Sequence, residues 1–297
     1  MEIRVSVIEE HEQLNEWLTV RNELEPDEPL LLEQLLVRRA AEPERRELIA
    51  LSNDDVAAIG TIGPKGSPTD LAYGFIGVRN DWKQCGADLV LLSQLRQIAG
   101  ELGRSRLELW AREDDGPFIA LLQENGFHEV AREGGLARDI PGAPLEALSL
   151  PRGFELRRVA ERSEFGAGAY EVAEQSWRDI PGETGIERRE AWLRLHVEQA
   201  ADGAVVVLHE ERVVGFAGLH QLAGEGLYEN GLLAVLPEFR RHGIARALKV
   251  AQLQWLIDHG ARRVVTWNSE TNEPARALNL SLDYRPLPSS IAFHGPV

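Results

Sequence analysis

Cysteine and lysine are nearly absent from this chain of 297 residues. The single cysteine, Cys85, excludes an internal disulfide and a zinc site built from several cysteines. Lysine occurs only at Lys65, Lys83 and Lys249, which we interpret as a codon-usage habit in favour of arginine. No apolar run reaches the roughly 20 residues of a membrane span, and the first residues are acidic without an apolar signal core. We therefore expect a cytoplasmic protein with no membrane partner.

Positive charge is also scarce, since the formal net charge is −16. No basic tract is present that would neutralise a phosphate backbone, so the sequence argues against a nucleic-acid partner. The acidic balance is compatible with a cationic substrate, although solubility alone accounts for most of it. With 43% hydrophobic residues, the chain has the composition of a globular protein and the length of about two ordinary domains.

The chain contains an internal repeat. The stretch GLLAVLPEFRRHGIARAL, which begins at Gly231, matches GFIGVRNDWKQCGADLVL, which begins at Gly74. Upstream, VVGFAG matches AAIGTIG at a slightly shorter spacing, with Gly215 over Gly60. We therefore predict two copies of one domain, at 1–138 and 154–297, joined by a Pro- and Gly-rich linker at 139–153. The residue pairs that lie 157 positions apart are Val235 and Val78, Arg240 and Lys83, Gly243 and Gly86, Trp267 and Trp110, and Tyr284 and Phe127.

Hydrophobic patterning in the second copy predicts an α/β (α+β) unit. Strands are expected near 154–160, 204–210, 212–222, 227–237 and 262–268, with helices around 166–178, 185–199, 243–259 and 272–282. The final stretch, SSIAFHG, is expected to close the sheet of this copy. The predicted fold is a mixed, mostly antiparallel sheet flanked by helices.

Positive charge collects at one predicted helix start. Arg240, Arg241 and His242 precede Gly243, and the helix follows directly. The first turn of a helix has unsatisfied N–H groups and the positive end of the dipole, which together favour a phosphate. Gly243, which has no Cβ, and the small Ala245 would let an anion approach the backbone. The sequence contains neither a P-loop nor a dinucleotide glycine motif, so another polyphosphate ligand is expected.

The pattern V-x-P-x-x-R-x-x-G-x-A-x-x-L, from Val235 to Leu248, resembles the acyl-CoA binding motif of the GNAT N-acetyltransferase superfamily. The segment TWNSETNEPARALNLSLDY (266–284) resembles tandem members of that superfamily, the group that includes mycothiol synthase. The stretch DIPGE (179–183) resembles a substrate-side loop of the same group. The resemblance covers most of 154–297 and is weaker over 1–138. It implies two tandem GNAT-like domains.

The resemblance also implies roles for cofactor-binding residues, with acetyl-CoA as cosubstrate. Backbone N–H groups near Gly243 would hold the CoA pyrophosphate, and the edge of the preceding strand would pair with the pantetheine amides and steady the thioester carbonyl. The two asparagines after the next strand would reach the cofactor arm. The implied set is Leu233, Val235, Arg240, Arg241, His242, Gly243, Ile244, Ala245, Arg246, Asn268 and Asn272.

The catalytic residues follow partly from the same resemblance. Direct transfer needs a neutral amine, so a base must take its proton. Glu229 lies eleven residues before Arg240, the spacing of the base glutamate in histone-type members, and is our first candidate. Many members place a general-acid tyrosine where this chain has Asn279, which then would bind the leaving sulfur. Tyr228 and His220 are further candidates.

The first copy lacks several of these residues. Lys83 replaces the motif arginine, and Asp88 stands where the second copy has Ala245, so its carboxylate would repel a pyrophosphate. We predict a degenerate first domain that binds CoA poorly and has a structural role.

The expected function is an N-acetyltransferase that acts on a small-molecule amine. A non-catalytic acyl-CoA-binding or regulatory module and an enzyme that uses another acyl-CoA, such as succinyl-CoA, remain alternatives. No spaced His and Glu cluster supports a metal site, and the sequence leaves the oligomeric state open.

Overall fold

The computed structural model describes residues 3–66, 70–83, 85–147, 149–178, 189–198 and 202–297, which form two compact units. The first unit comprises Met1–Gly134 with Pro288–Val297, and the second comprises Gly135–Leu287. The strands are β1 Arg4–Val7, β2 Arg46–Ser52, β3 Asp55–Pro64, β4 Leu71–Val78, β5 Arg106–Arg112, β6 His128–Asp139, β7 Phe154–Arg158, β8 Val205–His209, β9 Arg212–Gln221, β10 Leu227–Val235, β11 Arg263–Ser269, β12 Arg285–Pro286 and β13 Ser290–Pro296. The helices are α1 His11–Leu24, α2 Leu32–Ala41, α3 Ala87–Glu101, α4 Gly116–Glu124, α5 Ser163–Trp177, α6 Arg189–Leu193, α7 Ile244–Asp258 and α8 Glu273–Ser281, and a π-helical turn, Arg194–Glu198, follows α6.

Each unit contains one sheet flanked by helices. In the first unit the strand order is β1-β2-β3-β4-β5-β13-β6, and in the second it is β6-β11-β10-β9-β8-β7, with β12 paired to β6. The pairs β4–β5 and β10–β11 are parallel, whereas the pairs β1–β2, β2–β3, β3–β4, β7–β8, β8–β9 and β9–β10 are antiparallel. The predicted mixed, mostly antiparallel sheet is confirmed.

Local sequence explains the elements that build the second unit. The β-branched run of β8 suits a strand buried on both faces, and Val206 and Val207 are fully buried. In α7 the buried residues recur at helical spacing, as Ile244, Leu248 and their neighbours along one face. Each large side chain buried in this way contributes about 1.5–3 kcal/mol of hydrophobic stabilisation.

The end of the chain departs from the predicted domain boundaries. The sequence divides the chain at 138 and 154 and assigns everything after 154 to the second copy, but β13 belongs to the first unit. It pairs with β5 from Ser290 opposite Arg112 to Pro296 opposite Arg106. The stretch SSIAFHG therefore closes the sheet of the first unit, and the expectation that it closes the second is corrected. Backbone hydrogen bonding between distant segments decides this placement, and local patterning does not report it.

Matching backbone conformations support the internal repeat. Asn53 and Asp54 form a hairpin turn with φ of 50° and 67°, and Glu210 and Glu211 form the same turn with the same angles. Strand register also corrects one alignment, because Val78 lies opposite Ala58 and Val235 lies opposite Gly215. Gly215 therefore corresponds to Ala58, 157 positions away, and not to Gly60.

Within the described residues, none of the helices combines the length and the apolar character that crossing a membrane requires.

Candidate active site

The N-terminus of α7 is open and has no capping side chain. Gly243 is its N-cap residue and has the left-handed conformation, with φ of +79°, that glycine adopts without strain. A Cβ added at this position would meet nothing within 4 Å. The first turn contains no acidic residue. Its N–H groups and the positive end of the dipole therefore have no capping side chain and no acidic neighbour in the first turn, the arrangement that suits a phosphate.

The three basic residues before α7 differ in their contacts with the turn that connects β10 to α7. Arg240 donates from Nε to the carbonyl oxygen of Val235 at 2.9 Å and so holds the turn that connects β10 to α7. Arg241 has φ of +68° and is exposed. His242 lies with Nδ1 2.8 Å from the carbonyl oxygen of Arg240, and its ring stacks on Phe154 at 6.4 Å. Arg240, Arg241 and His242 are all exposed, and Arg240 and His242 also contact the backbone that shapes the turn.

The first residues of α7 also belong to the set of cofactor-binding residues predicted from sequence. Ile244 is buried in the core, and Ala245 is half-buried. Arg246 donates to Ser281 Oγ and to Glu146 Oε2, both at 2.9 Å. Glu146 also lines a pocket of about 360 Å³ together with His242, Gly243 and Arg246. A ligand at the α7 N-terminus would therefore meet Arg246 as a partly neutralised cation.

Strands β10 and β11 separate within the second unit. They pair in register only from Leu227 opposite Arg263 to Glu229 opposite Val265, as far as the described residues show. β10 also bulges against β9, because Asn230 lies opposite Leu219 and Leu233 lies opposite Ala217. Two residues of β10 thus face one residue of β9, which bends the strand. The result is an opening between β10 and β11, with Glu229 at its closed end.

The predicted strand residues lie beyond the bulge. Leu233 and Val235 pair with Ala217 and Gly215 of β9. They border the opening on the β10 side, where the sequence predicts contacts to the cofactor arm.

Glu229 lies beside a pair of histidines. It is directly opposite His220 on β9, so both side chains point to the same face of the sheet. His220 Nε2 lies 3.3 Å from His196 Nδ1 of the π-helical turn, and His196 packs on the buried Trp192 at 5.0 Å. A Cβ on Gly231 would lie 2.7 Å from His220 Nε2, so this glycine leaves the space that the imidazole occupies. Proton-accepting groups are therefore concentrated at the closed end of the opening.

Tyr228 lies on the other face of the sheet. Its ring meets Trp255 of α7 edge-on at 5.7 Å, and it packs with the apolar cluster around that helix. The alternation of side chains along a strand separates it from Glu229. The structure therefore brings Glu229 and His220 together but does not add Tyr228 to them.

Three asparagines lie on β11 or on the segment that follows it. Asn279 of α8 is 2% exposed and donates from Nδ2 to Asn268 Oδ1 of β11 at 2.8 Å. Its own Oδ1 is buried without a hydrogen-bond partner among the described residues. A buried acceptor without a donor is unfavourable, which makes it a candidate contact for an N–H group of a ligand. Asn272 instead caps α8, accepting from Ala275 N at 3.2 Å.

The first unit has different groups at the matching positions. Asp88 lies in the first turn of α3 and accepts from Leu89 N at 2.9 Å, so a carboxylate occupies the place of Ala245. By strand register Tyr73 takes the place of Glu229, and Gly63 takes the place of His220. The Tyr73 hydroxyl donates to Glu42 and accepts from Arg45. The first unit therefore has a carboxylate in the first turn of its matching helix and lacks the candidate base glutamate.

Two further expectations concern metals and the substrate-side loop. Within the described ranges, no group of three His, Cys, Asp or Glu side chains is placed to hold a metal ion. The DIPGE stretch, 179–183, lies outside the described residues.

Sequence reasoning missed a polar cluster beneath the bulge. Asn230, Lys249 and Gln252 are buried, and both Lys249 and Gln252 are hydrogen-bonded to Asn230. The signal was visible as two polar residues, Lys249 and Gln252, three positions apart on the face of α7 that is otherwise apolar. His196 was missed as well, because its proximity to His220 depends on the packing of the π-helical turn.

An uncapped helix N-terminus follows a strand here, beside two parallel strands that separate, and this arrangement suits an anionic ligand with an extended arm. Residues 168–282 match the acetyltransferase (GNAT) family. The chain is therefore similar to the GNAT acetyltransferase family, a class of N-acyltransferases, over the part of the second unit that builds the candidate site.

Relatives and solved structures extend the likeness over the whole chain. It is 27% identical to a mycothiol acetyltransferase of Thermomonospora curvata and 28% identical to one of Nocardiopsis dassonvillei, in each case over 90% of this chain and 88% of the relative. A tandem GNAT protein from the clavulanic acid biosynthesis pathway has a TM-score of 0.78 at 18% identity, covering 99% of this chain and 98% of that chain. A GCN5-related N-acetyltransferase from Sphaerobacter thermophilus has a TM-score of 0.74 at 15% identity, covering 99% and 95%. The two structures establish likeness of fold.

Proposed function

We propose that the second unit transfers the acetyl group of acetyl-CoA to the primary amine of a small molecule by direct attack. One observation carries this proposal: the uncapped N-terminus of α7 directly follows β10, the strand that parts from β11 at Glu229. The helix N-terminus would bind the pyrophosphate, and the opening would take the arm that ends in the thioester. The buried Oδ1 of Asn279, which has no partner among the residues the structure describes, would accept from an amide N–H of that arm.

Glu229 is the proposed base. The acceptor amine attacks as the neutral species, and Glu229 accepts its proton, directly or through one water. The nitrogen forms a bond to the thioester carbonyl carbon, the carbon–sulfur bond breaks, and the thiolate leaves and is protonated. Backbone N–H groups of the bulged part of β10 would stabilise the oxyanion that develops on the carbonyl oxygen. His220, beside Glu229, would orient the carboxylate or relay the proton.

The acceptor class follows from the relatives. Both are mycothiol acetyltransferases, so the mycothiol skeleton with its free amine is the first acceptor to test. The net charge of −16 is compatible with a small cationic amine as acceptor and disfavours nucleic acid as a partner. The first unit, with Asp88 and Tyr73 at the matching positions, would have a structural role.

Calorimetric titration tests the proposal most directly. The intact chain is titrated with acetyl-CoA, CoA and succinyl-CoA, and mass spectrometry then follows acetylation of a panel of amines. We expect one acetyl-CoA per chain and an acetylated small amine. Preference for succinyl-CoA would point to another acyl donor, and binding without any acetylated product would favour a regulatory module. Absence of binding would refute the proposal.

A further inference from the structure

The buried polar cluster beneath the β10 bulge connects every element that forms the opening. Asn230 is the last residue of β10 before the bulge. Gly218 is the residue of β9 that lies opposite the bulge itself. Gln252 of α7 donates to the carbonyl oxygens of Ala217 and Gly218 at 3.1 and 2.9 Å. The same amide accepts from Asn230 Nδ2 at 3.0 Å. One side chain therefore ties both strands together at the irregularity.

Asn230 is held from two more directions. Lys249 Nζ donates to its Oδ1 at 2.9 Å, and the Tyr284 hydroxyl donates to the same atom. Burial raises the pKa of Tyr284, which keeps the phenol protonated as a donor. On β11, Thr266 Oγ1 donates to the backbone oxygen of Asn230 at 3.2 Å, just beyond the last backbone pairing between the strands. Asn230 is thus fixed where β10 leaves β11.

Lys249 is the member of the cluster whose burial opposes folding most strongly. It is 2% exposed, its Nζ lies 4.8 Å from the centroid of the Tyr284 ring, and burial lowers its pKa to about 7. Lys249 has no carboxylate partner within the described ranges, and burying such an amine opposes folding, so stability alone does not explain a lysine at this position.

The first unit shows the same fold without the cluster. The positions matching Lys249, Gln252, Thr266 and Tyr284 hold Leu92, Leu95, Leu109 and Phe127, all in one apolar core. The strand register corrects the sequence match of Gly231 with Gly74, because Asn230 is the residue that matches Gly74. A Cβ on Gly74 would lie 3.0 Å from Leu109 and 3.2 Å from Leu95.

Strand β4, which matches β10, contains no bulge against its neighbour β3. β4 pairs with β3 without a register shift from Ala58 opposite Val78 to Pro64 opposite Ala72. Within this chain, the polar cluster and the bulge therefore occur together in one unit and are both absent from the other.

We propose that Lys249 is a positioning residue for acyl transfer: through its hydrogen bond to Asn230 it holds the β10 bulge in the shape that the thioester site requires. This inference rests on the proposed function of the second unit. Lys249 acts from beneath the strand and has no role in proton transfer. The property that matters is its N–H donor, which keeps Asn230 oriented between Gln252 and Tyr284.

Three variants test the proposal. Lys249→Leu copies the residue of the first unit, Lys249→Gln removes the charge but keeps an N–H donor, and Leu92→Met is the matched control in the other core. For each we measure the melting temperature, the acetyl-CoA Kd, kcat and KM. We also measure the rate of amide hydrogen exchange at 231–233, the bulged part of β10.

For Lys249→Leu we expect an unchanged or higher melting temperature, a Kd within threefold of native and a kcat at least tenfold lower. Exchange at 231–233 should be at least tenfold faster. Lys249→Gln should recover kcat to within about threefold of native, and Leu92→Met should match native throughout. A purely structural lysine would instead change the melting temperature and leave kcat and bulge exchange untouched.

A folded Lys249→Leu protein with kcat within twofold of native and unchanged exchange would overturn the proposal. If Lys249→Leu does not fold, Lys249→Gln decides, and a tenfold loss of kcat in that folded variant would overturn it equally. Hydrogen exchange needs no turnover, so it tests the bulge even where no amine in the panel is acetylated. Failure to acetylate any amine would count against the proposed function and not against the role of Lys249 in holding the strand.

Discussion

Gly243 and Gly86 have the same backbone conformation at the same place in two helices. Each is an N-cap residue with φ of +79°, and a Cβ at either would meet nothing within 4 Å. The two glycines are therefore an internal pair for mutagenesis, because a substitution imposes the same strain at both sites and differs only in what the helix N-terminus binds.

Gly243→Asp should lower acetyl-CoA affinity at least tenfold, since the new carboxylate would meet the pyrophosphate at the α7 N-terminus. Asp is a favoured N-cap residue and tolerates the left-handed conformation, so the fold should survive. Gly86→Asp is the control and should leave affinity unchanged. Calorimetry measures both, and an equal loss in the two variants would contradict the assignment of the site to the second unit.

Exchanging residues between the two helix starts gives a second prediction. Ala245→Asp copies Asp88 of the first unit and should also weaken acetyl-CoA binding at least tenfold. Asp88→Ala removes the carboxylate from α3, but Asp88 is one of several differences there, so the stoichiometry should remain one. A second acetyl-CoA bound to Asp88→Ala would show that this carboxylate alone closes the first unit.

Glu229→Gln should lower kcat/KM by about 10²–10⁴-fold, the usual contribution of a general base. The amide keeps the size of the side chain, so acetyl-CoA affinity should stay within threefold of native. Glu225→Gln, an exposed carboxylate near the start of β10, is the control and should be neutral. Native turnover across the whole pH range in Glu229→Gln would remove Glu229 from the mechanism.

The stability of the chain should rise with pH on account of Lys249. Its pKa is lowered by burial from 10.5 to about 7, so between these values the unfolded chain binds a proton that the folded chain lacks. The free energy of unfolding then increases by up to about 1.4 kcal/mol per pH unit in this window. Lys249→Leu should exceed native stability most at pH 7, and its advantage should shrink towards pH 10.

Urea unfolding at pH 7, 8, 9 and 10 measures this difference, with Lys83→Met as the control for an exposed lysine. A stability difference between native and Lys249→Leu that does not vary with pH would mean that Lys249 is not an amine of lowered pKa.

Local signals accounted for much of the fold and for one side of the site. The helix start at Gly243, the hairpin turn at Glu210 and Glu211, and the internal repeat all depend on residues close together in sequence, so motif spacing was sufficient. The placement of β13 was not predicted, because it depends on pairing with β5 about 180 residues away. The scarcity of lysine was interpreted as codon usage, yet Lys249 proved to be buried beneath the site.

The sequence by itself predicted the class of ligand: a glycine with no Cβ, no acidic residue in the first turn and an arginine-rich approach favour an anion site wherever that helix lies. Only the tertiary structure decided which polar groups meet at the opening. His196 reaches His220 and Lys249 reaches Asn230 because helices and strands distant in sequence pack together there. For the same reason the buried Oδ1 of Asn279 has no hydrogen-bond partner in the part of the chain that the structure describes. Spacing along the chain carries no record of such contacts, since they are set by strand register and by the depth at which each side chain is buried.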